Sequence, residues 1–238
     1  WAGAFNSISC PAAHQLREAR WLNDKSVAEE YLRFWLNPES GADPRKYTFG
    51  IASALLDAVS ITNSPSLVSE LYQALCMNYA EWKKTHLRAN GLFRQNDGRD
   101  GMECSIGGSG YRVTINSCMA AEANALATIS TQLGKEKAAA QYRTESEKLR
   151  RLIETRLWNE EKEFFMTRRE EDESFVDVRE LHGYTPWYYF PDMAAKYDCA
   201  WKQLIHPDGF LAPYGPTTAE RRHPGFRIAR DGHECQWN

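Results

Sequence analysis

Apolar positions recur at three- and four-residue spacing along most of the chain, the mark of amphipathic helices. Between 12 and 22, Leu16, Ala19, Trp21 and Leu22 share a side, and Asn23-Asp24 ends the run. Lys25 to Leu36 carries an apolar stripe of Val27, Tyr31, Phe34 and Trp35. Tyr47 to Ile61 is apolar almost all round, which for a helix means burial on every side. Asn63-Ser64-Pro65 reads as a cap followed by an N1 proline. A helix from Pro65 to His86 follows, with Leu67, Leu71, Leu75, Tyr79 and Trp82 at helical spacing. Thr114 to Leu133 is small and apolar and closes at Gly134. Lys135 to Trp158 is its polar partner, with alternating charges that mark a solvated face. One or two broken helices are expected around Pro186 and Pro191, within 181–201, and little periodicity remains after His206.

Buried helices therefore alternate with amphipathic ones: 12–22 with 25–36, 47–61 with 65–86, 114–133 with 135–158. That order predicts an all-α fold of inner and outer helices, an (α/α) toroid. A closed (α/α)6 ring needs six hairpins. The pattern supplies about four, so a portion of the barrel is expected, forming one catalytic domain over 1–238. The chain opens at Trp1 without an initiator Met and stops at Asn238, which reads as cut at both ends. A short phrase recurs after the outer helices: Asn90-Gly91-Leu92-Phe93, Lys162-Glu163-Phe164-Phe165 and Asp208-Gly209-Phe210-Leu211. Its interval, about 45–70 residues, is too uneven for a solenoid.

Composition narrows the function classes. The 238 residues are 42% hydrophobic and 26% charged with a net charge of -3, so nothing points to nucleic acid or an acidic membrane surface. No apolar run approaches the ~20 residues of a membrane span. Eight Trp and eleven Tyr supply faces on which sugar rings stack, although most must be core. The six cysteines form no CxxC pair, so a structural zinc site is not expected. Cys76 and Cys118 read as small buried hydrophobes. The sequence does not choose among disulfide pairings, and it specifies neither oligomeric state nor compartment.

The chemistry concentrates in 97–112, where Asp97, Asp100, Glu103, Arg99 and Arg112 sit among Gly98, Gly101, Gly107, Gly108 and Gly110. Glycine contributes no side chain to packing, so a loop this rich in it is expected to serve chemistry. Inverting sugar hydrolysis needs a protonated carboxyl and an ionised carboxylate about 6.5–9.5 Å apart. Glu103, between Met102 and Cys104, is the candidate acid, with desolvation raising its pKa. Asp100 is placed to hold it or to orient a hydroxyl.

Three motifs carry a resemblance. Asp100-Gly101-Met102-Glu103, followed by Thr114-Ile115-Asn116-Ser117 opening a helix, is similar to the Ser-Gly-(Met/Trp)-Asp and Leu-Asn-Ser elements of glycoside hydrolase family 63. The same elements mark the mannosylglycerate-hydrolase-like clan, which is related to trehalases. Leu181-His182-Gly183-Tyr184-Thr185-Pro186-Trp187 resembles that clan's Gly-(Phe/Tyr)-(Ile/Thr)-Pro-(Leu/Trp) loop. Gln236-Trp237-Asn238 resembles the start of its Tyr-Trp-Arg-Gly-Pro-x-Trp segment. The resemblance implies an (α/α)6 six-hairpin glycosidase acting with inversion on an α-linked glycoside of the glucoside or mannoside class, with no cofactor; the residues themselves offer no metal site. Glu103 matches the general-acid position, where the family's usual residue is Asp. Asn238 replaces the usual Arg, and the general base is expected beyond Asn238.

Glu234 is the late acid, read as a sugar-orienting carboxylate. His233-Glu234 lacks the second histidine of a zinc helix. Trp187, Trp237, Tyr184, Arg99 and His233 are the candidate substrate contacts, and core packing remains open for the two tryptophans. The pair Arg17-Glu18 lies between apolar turns, where charge is costly unless satisfied. Arg221-Arg222-His223 reads as a solvated loop or an anion contact, Arg168–Glu173 as a mobile loop, and His14 and His182 as structural histidines. The alternatives are a non-catalytic glycan- or protein-binding toroid and, more remotely, a sugar isomerase with His182 and His233 facing a cavity.

Overall fold

The computed structural model describes residues 8–62, 64–102 and 105–227. Seven α-helices carry the described chain: α1 Ser9–Ala19, α2 Ser26–Leu36, α3 Ile51–Thr62, α4 Pro65–His86, α5 Val113–Gln132, α6 Glu136–Leu152 and α7 Thr185–Tyr189. One two-stranded antiparallel sheet, β1 Trp158–Asn159 with β2 Phe164–Phe165, pairs Trp158 with Phe165 and Asn159 with Phe164. The chain divides into two compact units, 1–87 with 118–148, and 88–117 with 149–238.

In the first unit, α1 packs on α3 and α2 on α4. Inner thus meets inner and outer meets outer, as the alternation predicts. On α3, Ile51, Ala52, Ala54, Leu55 and Ala58 are buried, and on α5 so are Cys118 through Ala121, Ala123, Leu126 and Ile129. α3 begins at Ile51 rather than Tyr47, because its N-terminus is fixed from outside. The Glu122 carboxylate of α5 accepts the Ala52 N–H at 2.9 Å and the Ser53 N–H at 2.8 Å. It thereby serves two of the backbone N–H groups that a helix leaves open at its N-terminus. Burial is the main influence on this carboxyl and raises its pKa to about 7; the two backbone N–H groups and Arg17 act in the opposite direction. Arg17 donates Nε to Asp57 at 2.6 Å and Nη2 to Ser53 Oγ at 2.9 Å, while Glu18 is exposed.

Two smaller expectations change. Ser64 makes no side-chain cap on α4; its hydroxyl donates to Glu29 at 3.0 Å instead. Cys118 is buried as expected, but Cys76 is only partly so. Gly134 does close α5, with φ 67° and the Lys135 N–H donating to the Ser130 carbonyl at 2.8 Å.

The second unit contains all three copies of the recurring phrase. Each is a turn steadied by a preceding side chain: Asn90 Oδ1 accepts the Leu92 N–H, Asn159 Oδ1 the Lys162 N–H, and His206 Nδ1 the Asp208 N–H. Each turn delivers aromatic residues to the core, since Phe93, Phe164, Phe165 and Phe210 are buried. Leu211 departs from the phrase and is exposed. The acidic and basic stretch 168–173 is tied down rather than loose. Glu170 pairs with Arg88 at 2.7 Å and Arg94 at 2.9 Å. Glu173 accepts from Asn90 and Arg156, and the Arg168 guanidinium donates to the Arg156 and Glu173 carbonyls. Among the described residues, no helix is long and apolar enough to cross a membrane.

Candidate functional site

The site is built within the second unit from the loop 97–112 and the segments around 180 and 220. Antiparallel bridges hold the loop's ends: Gln95 with Gly110, and Tyr111 with Arg168. Arg112 is the residue that ends the loop and leads into α5. Its side chain and that of Asp100 are both 0% exposed, and Nε donates to Asp100 Oδ2 at 2.7 Å. Nη1 donates to Ser105 Oγ at 3.1 Å and to the Gly108 carbonyl. Thr114, in the first turn of α5, also donates to Asp100 Oδ2. One oxygen of Asp100 thus receives both a guanidinium and a hydroxyl donor, a charge-assisted arrangement that fixes the side chain in place.

Glu180 was not singled out from the sequence, yet it joins the glycine loop to the 181–187 motif. It is 3% exposed, accepts the Gly107 N–H at 3.2 Å and lies 3.1 Å from His182 Nε2. Burial pushes its carboxyl up, but the His182 hydrogen bond and charge, the Arg112 charge and the Gly107 N–H outweigh it, and the net shift is downward. The same strand-like segment bridges to Ala219. Beside it, Arg179 pairs with Glu220 at 2.7 Å, and His223 Nε2 sits 3.4 Å from Asp177.

The glycines of the loop do serve packing, through what they lack. A Cβ on Gly107 would stand 2.6 Å from Glu180 Oε2, too close for any other residue without a shift. Gly110, at φ 155°, brings its backbone against the Arg168 carbonyl, where a Cβ has no room. Close backbone approach accounts for Gly107 and Gly110, whereas Gly101 at φ 73° and Gly108 at φ 64° adopt the left-handed backbone that glycine favours.

The Asn of the Ile115-Asn116-Ser117 motif is structural. Asn116, fully buried, accepts the Phe93 N–H at 2.8 Å and donates Nδ2–H to the Phe93 carbonyl at 2.9 Å. It stands in for a β-strand partner beneath the first recurring turn.

The remaining candidates are distributed unevenly. Tyr184 stacks on Trp201 with ring centroids 4.6 Å apart, and its hydroxyl donates to the Ala200 carbonyl at 2.8 Å. Trp187 packs edge-on to Trp201 at 5.1 Å and Phe165 at 5.4 Å, and keeps part of its surface exposed. Arg99 is exposed on a single 3₁₀ turn, Asp97–Arg99. Arg221 and Arg222 donate to the carbonyls of Pro207, Leu211 and Asp208, which turns them toward the chain itself rather than toward an anion. Glu103, His233, Glu234 and Trp237 lie outside the described residues. Among those described, no group of three His, Cys, Asp or Glu side chains is arranged to hold a metal.

The family model for the mannosylglycerate hydrolase MGH1-like glycoside hydrolase domain matches residues 4–238. The chain belongs to that family. This domain, of glycosidase type, is an all-α portion of a six-hairpin toroid. It is similar over 98% of its length to a solved structure named "Sialidase", with 37% identity and a TM-score of 0.90, and spans 22% of that protein. An uncharacterized conserved protein from Thermus thermophilus shares 12% identity, with 96% of this chain and 78% of that one covered and a TM-score of 0.75. The GH78 family rhamnosidase of a Bacillus species also shares 12%, over 84% of this chain and 22% of that one, with a TM-score of 0.65. At such identities these two speak for the fold alone. No curated protein matches the chain.

Proposed function

We propose that the protein hydrolyses an α-linked glycoside with inversion at the anomeric carbon. In this reading Glu103 is the general acid that protonates the leaving oxygen, and a second carboxylate activates water on the opposite face of the sugar. Asp100 is a holding residue, because its carboxylate is committed to Arg112 and Thr114. Trp187 and Arg99, which retain exposed surface, are the sugar contacts on the described part of the site, with Glu234, His233 and Trp237 contributing from the late segment.

The observation that carries this reading is the bracing of the glycine loop. Four positions, 100, 105, 107 and 108, are bonded to two buried charged side chains. A loop with no chemical task has no need of desolvated charges to fix it, since burying them is costly. Orientation of a catalytic group is what such fixing supplies.

The test is hydrolysis of a panel of aryl α-glycosides by the full-length protein, with the first-formed anomer followed by NMR. The expected result is release from an α-glucoside or α-mannoside with a β-configured first product. An aryl α-sialoside in the panel asks whether the activity named for the 37% identical neighbour is carried by the part of it that this chain matches. Binding of oligosaccharides without any release would identify a glycan-binding toroid instead.

A further inference from the structure

The segment Ala195–Ile205 is an 11-residue 3₁₀ helix. Runs of this winding beyond three or four residues are uncommon, because its hydrogen bonds are poorer. Contacts from outside hold it. The Ala200 carbonyl accepts the Tyr184 hydroxyl at 2.8 Å, and the Gln203 carbonyl accepts the Phe210 N–H at 2.9 Å. The winding decides where Trp201 points. Tyr197 and Ala200 face inward and are buried, with Tyr197 against Trp158 and Phe165. In an α-helix Trp201, four residues after Tyr197, would share that buried face. Three residues per turn carry it about 120° round instead, and it is 39% exposed.

What reaches the surface is a braced indole. Tyr184 stacks on it with centroids 4.6 Å apart and planes 19° from parallel, and Trp187 meets it at 5.1 Å and 61°. Tyr184 stands in turn on the buried Phe164 and Phe210. Asp198 lies one 3₁₀ turn before Trp201, and side chains three apart eclipse in this helix, so its carboxylate flanks the ring. Asp198 is exposed, and among the described residues nothing bonds or pairs with it. The whole arrangement lies within the second unit. A ring beside an uncommitted carboxylate selects its occupant. A pyranose offers an apolar C–H face to the indole and hydroxyl donors to the acid. An apolar protein surface would strand the charge in a dry contact.

We propose that Trp201 and Asp198 form a sugar-binding surface of this glycosidase, cornered by Trp187. The open side of the indole stacks on the C–H face of a neutral pyranose, and Asp198 accepts that ring's hydroxyls. The inference deepens the function proposed above by giving the carbohydrate a second point of hold.

The experiment measures binding by calorimetry on the full-length protein. The probes are thio-linked α-gluco- and α-manno-tetrasaccharides, which resist cleavage, and tetralysine. Wild type is compared with Trp201→Ala, Trp201→Phe, Asp198→Ala and Lys202→Ala. Trp201→Ala should weaken binding of a tetrasaccharide about tenfold, and Trp201→Phe should recover part of that loss. Asp198→Ala should weaken it about tenfold with an unchanged melting temperature, since the carboxylate has no partner to lose. Lys202→Ala, on another face of the same helix, should bind as wild type does.

Wild-type affinity in both Trp201→Ala and Asp198→Ala would overturn the proposal, as would failure of the wild type to bind either tetrasaccharide. A loss confined to Trp201→Ala and matched by a lower melting temperature would make the indole a structural ring and overturn it too. So would an equal loss in Lys202→Ala, or binding of tetralysine alone, which would assign the surface to a basic partner. Should Trp201→Ala fail to fold, Asp198→Ala and Lys202→Ala decide: loss in the first alone supports the proposal, and loss in both or in neither overturns it. Hydrolysis of the aryl α-glycoside panel is read separately. Turnover with unaltered binding in the variants removes this surface and leaves the proposed function, while binding without turnover does the reverse.

Discussion

Replacing Asn116 by alanine should cost the protein roughly 2–6 kcal/mol. Asn116 is the sole side chain bonded to both backbone groups of Phe93 among the described residues, and both residues are buried. Alanine leaves an N–H and a C=O dry and without partners, each worth about 1–3 kcal/mol. Set against a total stability of about 5–15 kcal/mol for a typical domain, that is a large fraction. Urea unfolding should show a lower midpoint with an unchanged slope. Asn116→Asp sharpens the test. Its carboxylate accepts the Phe93 N–H but faces the Phe93 carbonyl without a proton to give. Its folded-state pKa is therefore raised, so its stability deficit should grow as pH rises through the acid range and shrink as pH falls. A loss below about 1 kcal/mol for the alanine variant would refute the claim that Asn116 serves as the turn's strand partner.

Other outcomes follow from the same geometry. Glu122→Gln should destabilise the protein by about 1–3 kcal/mol in thermal unfolding, because the amide nitrogen faces one of two helix N–H donors. In the wild type the raised carboxyl pKa of Glu122 means its contribution is complete below about pH 4.5 and declines as pH rises to about 7; that slope should vanish in Glu122→Gln. Gly107→Ala should shift Glu180 and lower the melting temperature, and a double variant with Glu180→Ala should recover part of the loss if the clash is the cause. Arg222→Ala should leave activity on neutral glycosides unchanged, since the guanidinium serves the Asp208 turn.

The helical order was readable because burial imposes periodicity. All-round apolar runs located α3 and α5, and the charged stripe located α6. The boundaries of α3 were not readable, since its cap arrives from Glu122, seventy positions away. One signal was present: a lone acid in an otherwise small, apolar helix has to find a partner. The recurring turn phrase was visible as spacing, but its acceptors Asn90, Asn159 and His206 precede the apolar pair at different distances. Glu180 escaped notice because its role depends on two loops distant in sequence, and Gly107 was the only local trace of that contact. In the sequence the glycines read as marks of a chemical loop, whereas Gly107 and Gly110 are there for backbone approach. The two meanings of glycine look alike until the neighbour is seen.

In the proposed reaction Glu103 delivers a proton to the glycosidic leaving group. The most direct test of that step is the leaving-group dependence of Glu103→Gln in the full-length protein. Proton transfer of this kind contributes about 10²–10⁴-fold in rate. The variant should lose that factor on an unactivated α-glycoside, keep wild-type affinity for it, and retain most of its rate on an activated aryl glycoside. Near wild-type turnover of the unactivated substrate would contradict the account.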